Sequence, residues 1–363
     1  MEFKIKKSIF LEGLSKVQGV VERKNTMPIL SHVLLDATGG LLKISATDLE
    51  VGLVTVVEAN VVVPGKITLL SRSLYDIVRE LDGDLHLTLK ENDRVEILAG
   101  RGRYMIPGLN ANDYPNFPKV EGLETEFSNE MFLDLVEKTA FSISAEETRH
   151  HLAGIYLHSL GDGILRVAAT DGHRLSYVEK KLESSLAVMK AIIPRKGVNE
   201  MKKLLSGGEK FHLVVGEKNL FMTRGRDSLY VRLIDGDYPD YQRIIPKDNE
   251  LEITVPRLSF MGALKRVSLL SNEKTRGVLV VISPGHVEMS IKNTDLGEAH
   301  EEIEINYQGP VTKIGFNARY FIEALSVIAD NEFTIRFKTE LAPCIVTSPK
   351  ESYFTHVIMP MRL

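Results

Sequence analysis

The chain of 363 residues contains no tryptophan and one cysteine, Cys344. A single cysteine cannot form a disulfide within the chain, which favours a reducing compartment. No apolar run approaches the roughly 20 residues that a membrane-spanning helix needs. The N-terminal residues 1–7 alternate charged with apolar side chains and lack the apolar core of a signal peptide. The sequence therefore predicts a cytoplasmic protein without membrane segments.

The chain also lacks an excess of charge of either sign, with 45 basic residues against 49 acidic ones and a net charge of -4. Any contact with nucleic acid must then come from local clusters of Lys and Arg. A charged fraction of 26% and a hydrophobic fraction of 44% are ordinary for a globular protein. The length suffices for two or three domains.

Motifs for cofactor or metal binding are missing as well. Gly65-Lys66-Ile67 has isoleucine where a phosphate-binding loop needs Ser or Thr. His150-His151 are adjacent, so their rings diverge, and no cysteine pair exists for zinc. Asp171 and His173 remain an alternative as an acid–base pair of an enzyme that acts on nucleic acid. We expect no cofactor, no metal and no catalytic residue.

The chain contains a three-fold internal repeat. Ala46-Thr47-Asp48 recurs as Ala169-Thr170-Asp171 and, in weaker form, as Asn293-Thr294-Asp295. A fixed period of this kind is typical of duplicated structural units. The aspartates occupy equivalent places, which predicts that Asp48, Asp171 and Asp295 cap turns.

Two amphipathic helices recur in each repeat, because apolar residues return at the spacing of one helix face. The stripes of the first helices are Phe10, Leu14, Val17 and Val21; Phe132, Leu133, Leu135, Val136 and Ala140; and Phe260, Met261, Leu264 and Val267. The stripes of the second helices are Leu74, Ile77, Val78 and Leu81; Val198, Met201 and Leu205; and Phe321, Ala324, Leu325 and Ile328.

Alternating segments such as 85–89 and 333–337 predict half-buried antiparallel strands, about eight in each repeat. The repeats end alike, at Asp113-Tyr114-Pro115, Asp237-Tyr238-Pro239 and Met359-Pro360. The predicted α+β domains are residues 1–120, 121–247 and 248–363. Repetition alone leaves open a scaffold of three duplicated domains that binds only proteins.

Five stretches share a resemblance to one family: Thr26-Met27-Pro28-Ile29-Leu30, Ala169-Thr170-Asp171-Gly172-His173-Arg174-Leu175, Ile193-Pro194-Arg195-Lys196-Gly197, Ser271-Asn272-Glu273-Lys274 and Met359-Pro360-Met361-Arg362-Leu363. Together they resemble the beta subunit of bacterial DNA polymerase III, the sliding clamp, over the whole chain. The resemblance implies three domains of the DNA-clamp fold per chain and a homodimeric six-domain ring around duplex DNA. It also implies a non-catalytic processivity factor that tethers the polymerase III alpha subunit, the clamp loader and other proteins with clamp-binding motifs.

Candidate DNA contacts are basic side chains on the predicted polar helix faces and in nearby loops. Contacts with phosphates rather than base edges would permit sliding. The resemblance adds Lys24, whereas Glu146 stands where known clamps carry a neutral glutamine and is not included. The predicted set is Arg23, Lys24, Arg72, Arg79, Lys138, Arg149, Lys196, Lys202 and Lys203.

The resemblance also implies a dimer interface between the first and third domains. The predicted residues are Arg101, Arg103, Tyr104 and Ile106 on one side, and Leu269, Leu270, Glu298, Glu301 and Glu302 on the other. A basic edge would then meet an acidic edge around an apolar centre. The alternative is that Leu269 and Leu270 belong to the domain core.

An apolar pocket for short peptides of partner proteins is the third site that the resemblance implies. The matching residues are Leu152, Thr170, Gly172, His173, Arg174, Leu175, Pro239, Arg243, Ile244, Asn317, Tyr320, Val346, Val357, Met359, Pro360, Met361 and Arg362. Methionine is flexible and polarisable, which suits a surface that accepts several peptides. Polar groups such as Arg174 and Asn317 would fix the orientation of the peptide. Pro343 stands where a known clamp has a serine, so we do not expect the polar contact of that serine here.

Overall fold

The computed structural model describes residues 1–21, 27–146, 148–182, 186–272, 275–351 and 353–362. The α-helices in these ranges are α1 Lys7–Val17, α2 Ser71–Glu80, α3 Asn129–Ala140, α4 Arg195–Leu205, α5 Arg257–Val267 and α6 Ala318–Ser326. Each helix lies where an apolar stripe predicts one, and Phe10, Leu74 and Phe321 are at most 1% exposed. No helix in the described ranges is long and apolar enough to cross a membrane.

The same described ranges contain twenty-five strands, most of them in runs between the helices. Before residue 120 lie β1 Glu2–Ile5, β2 His32–Thr38, β3 Leu41–Thr47, β4 Val51–Glu58, β5 Asn60–Val63, β6 Gly65–Leu70, β7 Leu85–Leu89, β8 Arg94–Ala99 and β9 Gly102–Leu109. Between residues 121 and 247 lie β10 Glu124–Ser128, β11 Gly154–Ser159, β12 Ile164–Thr170, β13 Arg174–Lys181, β14 Met189–Pro194, β15 Lys210–Val215, β16 Asn219–Arg224 and β17 Asp227–Arg232. The remaining strands are β18 Leu251–Pro256, β19 Gly277–Ser283, β20 His286–Asn293, β21 Gly297–Glu304, β22 Thr312–Asn317, β23 Glu332–Phe337, β24 Cys344–Thr347 and β25 Phe354–Ile358.

The chain forms two compact units, Met1–Phe132 with Lys196–Leu233, and Leu133–Arg195 with Ile234–Leu363. The first unit contains one 13-stranded sheet in the order β10-β15-β16-β17-β4-β3-β2-β6-β9-β8-β7-β1-β5. The second contains an eight-stranded sheet, β14-β11-β12-β13-β25-β24-β23-β18, and a four-stranded sheet, β21-β20-β19-β22. The boundaries predicted near residues 120 and 247 do not coincide with these units and stay a prediction.

Strands from successive repeats pair with each other at two seams. In the first unit, β4 pairs antiparallel with β17, and Leu53 lies opposite Leu229. In the second unit, β13 pairs antiparallel with β25, and Ser176 lies opposite His356. Each seam thus joins four strands to four. The first seam joins β6-β2-β3-β4 to β17-β16-β15-β10, and the second joins β14-β11-β12-β13 to β25-β24-β23-β18.

Side chains cap the turns that the sequence repeat marks. Asp48 Oδ1 accepts hydrogen bonds from the Glu50 and Val51 amides at 2.9 and 2.6 Å, and Asp171 caps its turn in the same pattern. The prediction for Asp295 is wrong: Asn293 Oδ1 accepts the bonds, from the amides two and three residues later. The third hairpin has one residue fewer between its last paired positions, which shifts the cap to the asparagine.

Candidate partner pocket and nucleic-acid interface

The hairpin turn between β12 and β13 is fixed by bonds between side chains and backbone. The Asp171 carboxylate accepts hydrogen bonds from the His173 and Arg174 amides at 3.0 and 3.1 Å. Gly172 has a φ of 87°, a conformation that side chains rarely adopt. The Thr170 hydroxyl donates to the Arg174 carbonyl at 2.6 Å. The turn is therefore a rigid feature at one end of the sheet.

Asp171 and His173 are not arranged as an acid–base pair. One Asp171 oxygen is used by the two turn amides, and the other accepts a bond from Arg174 Nε at 3.1 Å. A carboxylate occupied in this way holds the turn and the arginine. Within the described ranges, no three His, Cys, Asp or Glu side chains are grouped so that they could hold a metal ion.

Arg174 is buried, with a side-chain exposure of 7%, and each nitrogen of its guanidinium donates a hydrogen bond. Nη1 donates to Glu323 Oε2 at 2.5 Å and Nη2 donates to the Phe141 carbonyl at 2.6 Å. The group also lies 4.6 Å from the centre of the Tyr320 ring. Arg174 therefore holds the turn against α6 and the end of α3, and its role in orienting a bound peptide stays a prediction. The sequence motifs did not include Glu323. Its spacing of four residues from Arg319 on α6 predicts the ion pair between these two side chains, but not the contact with Arg174.

The C-terminal segment runs beside this turn. The Met359 amide donates to the His173 carbonyl at 2.9 Å, and the Met361 amide donates to the Gly315 carbonyl at 2.8 Å. The segment is thus tied on one side to the turn and on the other to β22. Met359 is 37% exposed, so its side chain forms part of the surface there.

Residues 238–245, which we call the linker, form another wall of the same region. Tyr241 is 3% exposed and packs in one cluster with Leu175, Val357 and Ala168. Ile244, three residues later, is 40% exposed. Anchoring by Tyr241 therefore determines where the linker presents its outward side chains.

The structure brings most of the predicted pocket residues together on the turn, the C-terminal segment, the linker and α6. The exposed members are Gly172, His173, Arg243, Ile244, Met359 and Arg362. The half-buried members are Pro239, Asn317, Tyr320, Pro360 and Met361. The buried members are Leu152, Thr170, Arg174, Leu175, Val346 and Val357. The buried group supports the surface from beneath.

Several predicted DNA contacts are exposed cations. The side chains of Arg72 and Arg79 on α2 are 76% and 52% exposed, and each lies within 3.7 Å of Asp76. Lys203 on α4 is 61% exposed and Arg149 is 44% exposed. Lys202 is also on α4, whereas the predicted contacts at residues 23 and 24 lie outside the described ranges.

The prediction for Lys138 is wrong. Its side chain is 3% exposed, and its ammonium donates to Asp134 at 2.7 Å, Glu351 at 2.8 Å and the Tyr353 hydroxyl at 2.9 Å. Burial lowers the pKa of Lys138, but these hydrogen bonds outweigh burial and raise the pKa above its usual value. A cation neutralised in the interior cannot also bind phosphate. Lys196 is weakened as a candidate too, because its ammonium bonds to the Asp48 carboxylate.

The predicted interface residues of the first unit lie on β9. Residues 102–107 of this strand pair with β8, and the described pairs with β6 begin at Gly108. Tyr104 is 41% exposed and Ile106 is half-buried. Arg103 donates to Glu96 at 2.5 Å and is 70% exposed. The segment therefore offers an open strand edge with apolar and basic side chains.

The predicted interface residues of the second unit lie on β21 and beside it. β21 is the edge strand of its sheet, paired with β20. Leu269 is 78% exposed, so the alternative that it belongs to the domain core is wrong, while Leu270 is half-buried. Glu301 accepts two hydrogen bonds of 2.7 Å from Arg266, and Glu298 and Glu302 are exposed.

Comparison with known proteins covers the whole chain. Family models of the DNA polymerase III beta subunit match with the N-terminal domain at residues 1–118, the central domain at 126–240 and the C-terminal domain at 242–362. The beta sliding clamps of Caulobacter vibrioides and Pseudomonas aeruginosa are 39% and 34% identical to this chain, with 100% of both chains covered.

Solved clamp structures agree closely with the fold. A Caulobacter crescentus beta sliding clamp superposes with a TM-score of 0.96 at 38% identity, covering 100% of this chain and 99% of the other. A Bartonella birtlesii clamp bound to griselimycin superposes with a TM-score of 0.95 at 34% identity, with 100% of both chains covered. With its three clamp domains of helices and antiparallel sheets, the chain belongs to the beta sliding clamp family, the non-catalytic processivity factors of DNA polymerase III.

Proposed function

We propose that two copies of this chain close head to tail into a ring around duplex DNA in the cytoplasm. The ring tethers the polymerase III alpha subunit, the clamp loader and other proteins with clamp-binding motifs. The observation that carries the proposal is the pair of open strand edges on β9 and β21. Two seams within the chain each join four strands to four, and pairing β21 of one copy with β9 of the other would build a third seam of the same kind. Such a heterologous contact closes when the rotation returns to the first subunit.

The register of the third seam follows by analogy with the first seam within the chain. In the first seam, Leu53 lies opposite Leu229. Ala299 on β21 is equivalent to Leu53 on β4. Each lies opposite a residue that precedes the capping side chain of its hairpin turn by two positions. Tyr104 corresponds to Leu229, because each is the third residue after a two-residue hairpin turn. We therefore expect Ala299 opposite Tyr104 of the partner subunit.

This register makes the charges on the outer face of the seam complementary. Arg103 would lie opposite His300, with Glu298 and Glu302 as its diagonal neighbours, and Arg101 would lie opposite Glu302. Cross-strand pairs of opposite charge stabilise a sheet, and such complementarity suppresses wrong registers. On the other face, Tyr104 and Ile106 would pack beside the exposed Leu269 and the half-buried Leu270.

Cysteine cross-linking tests the dimer and its register together. The variant with His300→Cys and Arg103→Cys should form covalent dimers on mild oxidation or with a short bis-maleimide, because directly opposite Cβ atoms are about 5 Å apart. Either substitution alone should yield monomers on a denaturing gel, since a head-to-tail contact joins two different strands. The native Cys344 is buried and does not compete.

The matched control for register is His300→Cys with Leu109→Cys. Leu109 is 38% exposed but lies six residues along β9 from Arg103, roughly 20 Å in an extended strand. Equal cross-linking in the two double variants, or cross-linking by either single variant, would contradict the proposed seam.

The DNA would be held by closure together with weak phosphate contacts. Acids on α2 balance its two arginines, whereas α4 carries four cations against one acid, so the excess of positive charge is modest. Phosphate contacts are sequence-independent and weaken with salt. Binding to short linear duplexes should therefore be weak and strongly salt-dependent, as sliding requires.

The region formed by the turn, the linker and the C-terminal segment would bind short peptides with apolar anchors. We expect the same region to bind griselimycin, with which a Bartonella birtlesii clamp has been solved. Deleting residues 359–363 should abolish binding of a fluorescein-labelled peptide of the polymerase alpha subunit while the dimer persists. The variant Met359→Ala with Met361→Ala keeps the backbone bonds and should weaken binding less than the deletion. Unchanged peptide affinity after the deletion would reject this pocket.

A further inference from the structure

Three aromatic rings stack between the linker and the sheet beneath it. Tyr238 of the linker stacks on Tyr156 of β11 with centroids 4.8 Å apart and an interplanar angle of 6°. Tyr156 in turn stacks on His158 of the same strand, at 4.7 Å and 16°. None of the three is among the residues that the family resemblance implies for the pocket. The rings form a continuous column that attaches the linker to β11.

A buried hydrogen bond fixes the other end of this column to the linker. His158 Nε2 lies 2.7 Å from the Tyr241 hydroxyl, and the two side chains belong to residues that are 6% and 3% exposed. Burial, together with Arg166 and Lys190, lowers the pKa of His158 to about 4, so its ring is neutral at ordinary pH. Tyr177 of β13 packs against Tyr241 at 5.1 Å between ring centroids.

The linker has local backbone bonds of its own that do not attach it to the sheet. The Arg243 amide donates to the Asp240 carbonyl at 3.3 Å, and the Ile244 amide donates to the Tyr241 carbonyl at 3.0 Å. These bonds close a single helical turn. The turn is therefore positioned by the aromatic column, by the bond to His158 and by the packing of Tyr241 against Leu175 and Val357. These contacts also set the surface positions of Arg243 and Ile244.

We propose that Tyr156 and His158 are positioning residues of the partner pocket, which hold the linker in the conformation that binds peptide. The inference rests on the proposed function of the pocket. Neither residue would touch the peptide; each acts through Tyr238 or Tyr241. Pre-ordering a binding wall removes part of the conformational entropy lost on binding. Releasing the linker should therefore weaken peptide binding without removing any peptide contact.

The shared hydrogen bond predicts a specific pattern among variants. His158→Phe keeps a ring in the column and removes the nitrogen, and Tyr241→Phe removes the hydroxyl alone. Each should lower the affinity for the fluorescein-labelled alpha-subunit peptide about three- to tenfold, the range expected for one buried hydrogen bond. The double variant should be no weaker than the singles, because both substitutions break the same bond. His158→Gln, which can bond to the hydroxyl, should stay within about twofold of the unchanged protein.

The matched control is Tyr114→Phe in the first unit. Tyr114 is 4% exposed and its hydroxyl accepts a bond from the Thr47 amide at 3.1 Å, so this variant loses a comparable buried bond away from the linker. Its peptide affinity should be unchanged. Hydrogen exchange of the linker amides should be faster in His158→Phe and in Tyr241→Phe, and unchanged in Tyr114→Phe.

Two results would overturn the inference: unchanged affinity with unchanged linker exchange in both single variants, or losses of affinity that add in the double variant. Failure of the pocket itself gives a different result, in which the peptide binds equally well after deletion of residues 359–363. In that case, linker exchange in His158→Phe still decides whether the column holds the linker, because the measurement requires no peptide.

Discussion

Leu269 gives the sharpest quantitative test of the dimer seam. Its side chain is 78% exposed in the single chain, so burial at the seam would remove apolar surface from water and stabilise the dimer. Leu269→Ala removes three carbon atoms, each worth about 0.8 kcal/mol when buried, or about 2 kcal/mol per seam. A head-to-tail ring has two identical seams, so the free energy of dimerisation should weaken by about 4 kcal/mol. The dimer dissociation constant should therefore rise about a thousandfold.

Sedimentation equilibrium or mass photometry over a dilution series measures this constant. Leu258→Ala is the matched control, because Leu258 lies on the neighbouring helix α5 and is 60% exposed. It should leave the dimer unchanged, while Leu269→Ala with Leu270→Ala should give monomers. Equal dissociation constants for Leu269→Ala and Leu258→Ala would refute the assignment of this surface to the seam.

Three other substitutions test the site. Lys138→Met leaves the Glu351 carboxylate without its cation and should cost about 2–4 kcal/mol of stability in urea unfolding; weaker DNA binding at unchanged stability would restore Lys138 as a DNA contact. Burial lowers the pKa of His356 to about 3, so the unfolded chain takes up a proton below pH 6.5 and stability falls as pH falls. The free energy of unfolding of the unchanged protein should therefore fall by about 2 kcal/mol between pH 7 and 5 because of this group. His356→Phe should not show this fall, and equal falls in the two proteins would contradict the burial argument. Gly172→Ala forces a side chain into a φ of 87° and against the Arg149 guanidinium. It should cost about 1–2 kcal/mol in thermal unfolding and weaken peptide binding, whereas unchanged peptide affinity would separate the turn from the pocket.

The helices and most strands could be predicted from the sequence because their signals are local. Apolar spacing marks a helix face wherever one side is buried, as at Leu74 and Phe321. The turn caps could not all be predicted, because the third hairpin is shorter by one residue between paired positions. That difference moved the cap from Asp295 to Asn293 and could not be read from an alignment of Thr-Asp pairs.

The environment of the buried charges could not be predicted, because their partners are distant in sequence. Lys138 follows the pattern of a polar helix face, yet Glu351, 213 residues later, neutralises it. Arg174 likewise meets Glu323 across 149 residues. Local patterns carry no information on such pairs, so exposed and buried cations look alike until the chain is folded.

Retention on circular DNA tests the central claim, that closure rather than affinity keeps the protein on DNA. The protein is loaded onto nicked circular plasmid at moderate salt, and bound protein is followed before and after a single cut linearises the DNA. We expect slow loss from the circle and rapid loss over the ends once the DNA is cut. Equal loss from the circular and the linear form, whether rapid or slow, would contradict the claim.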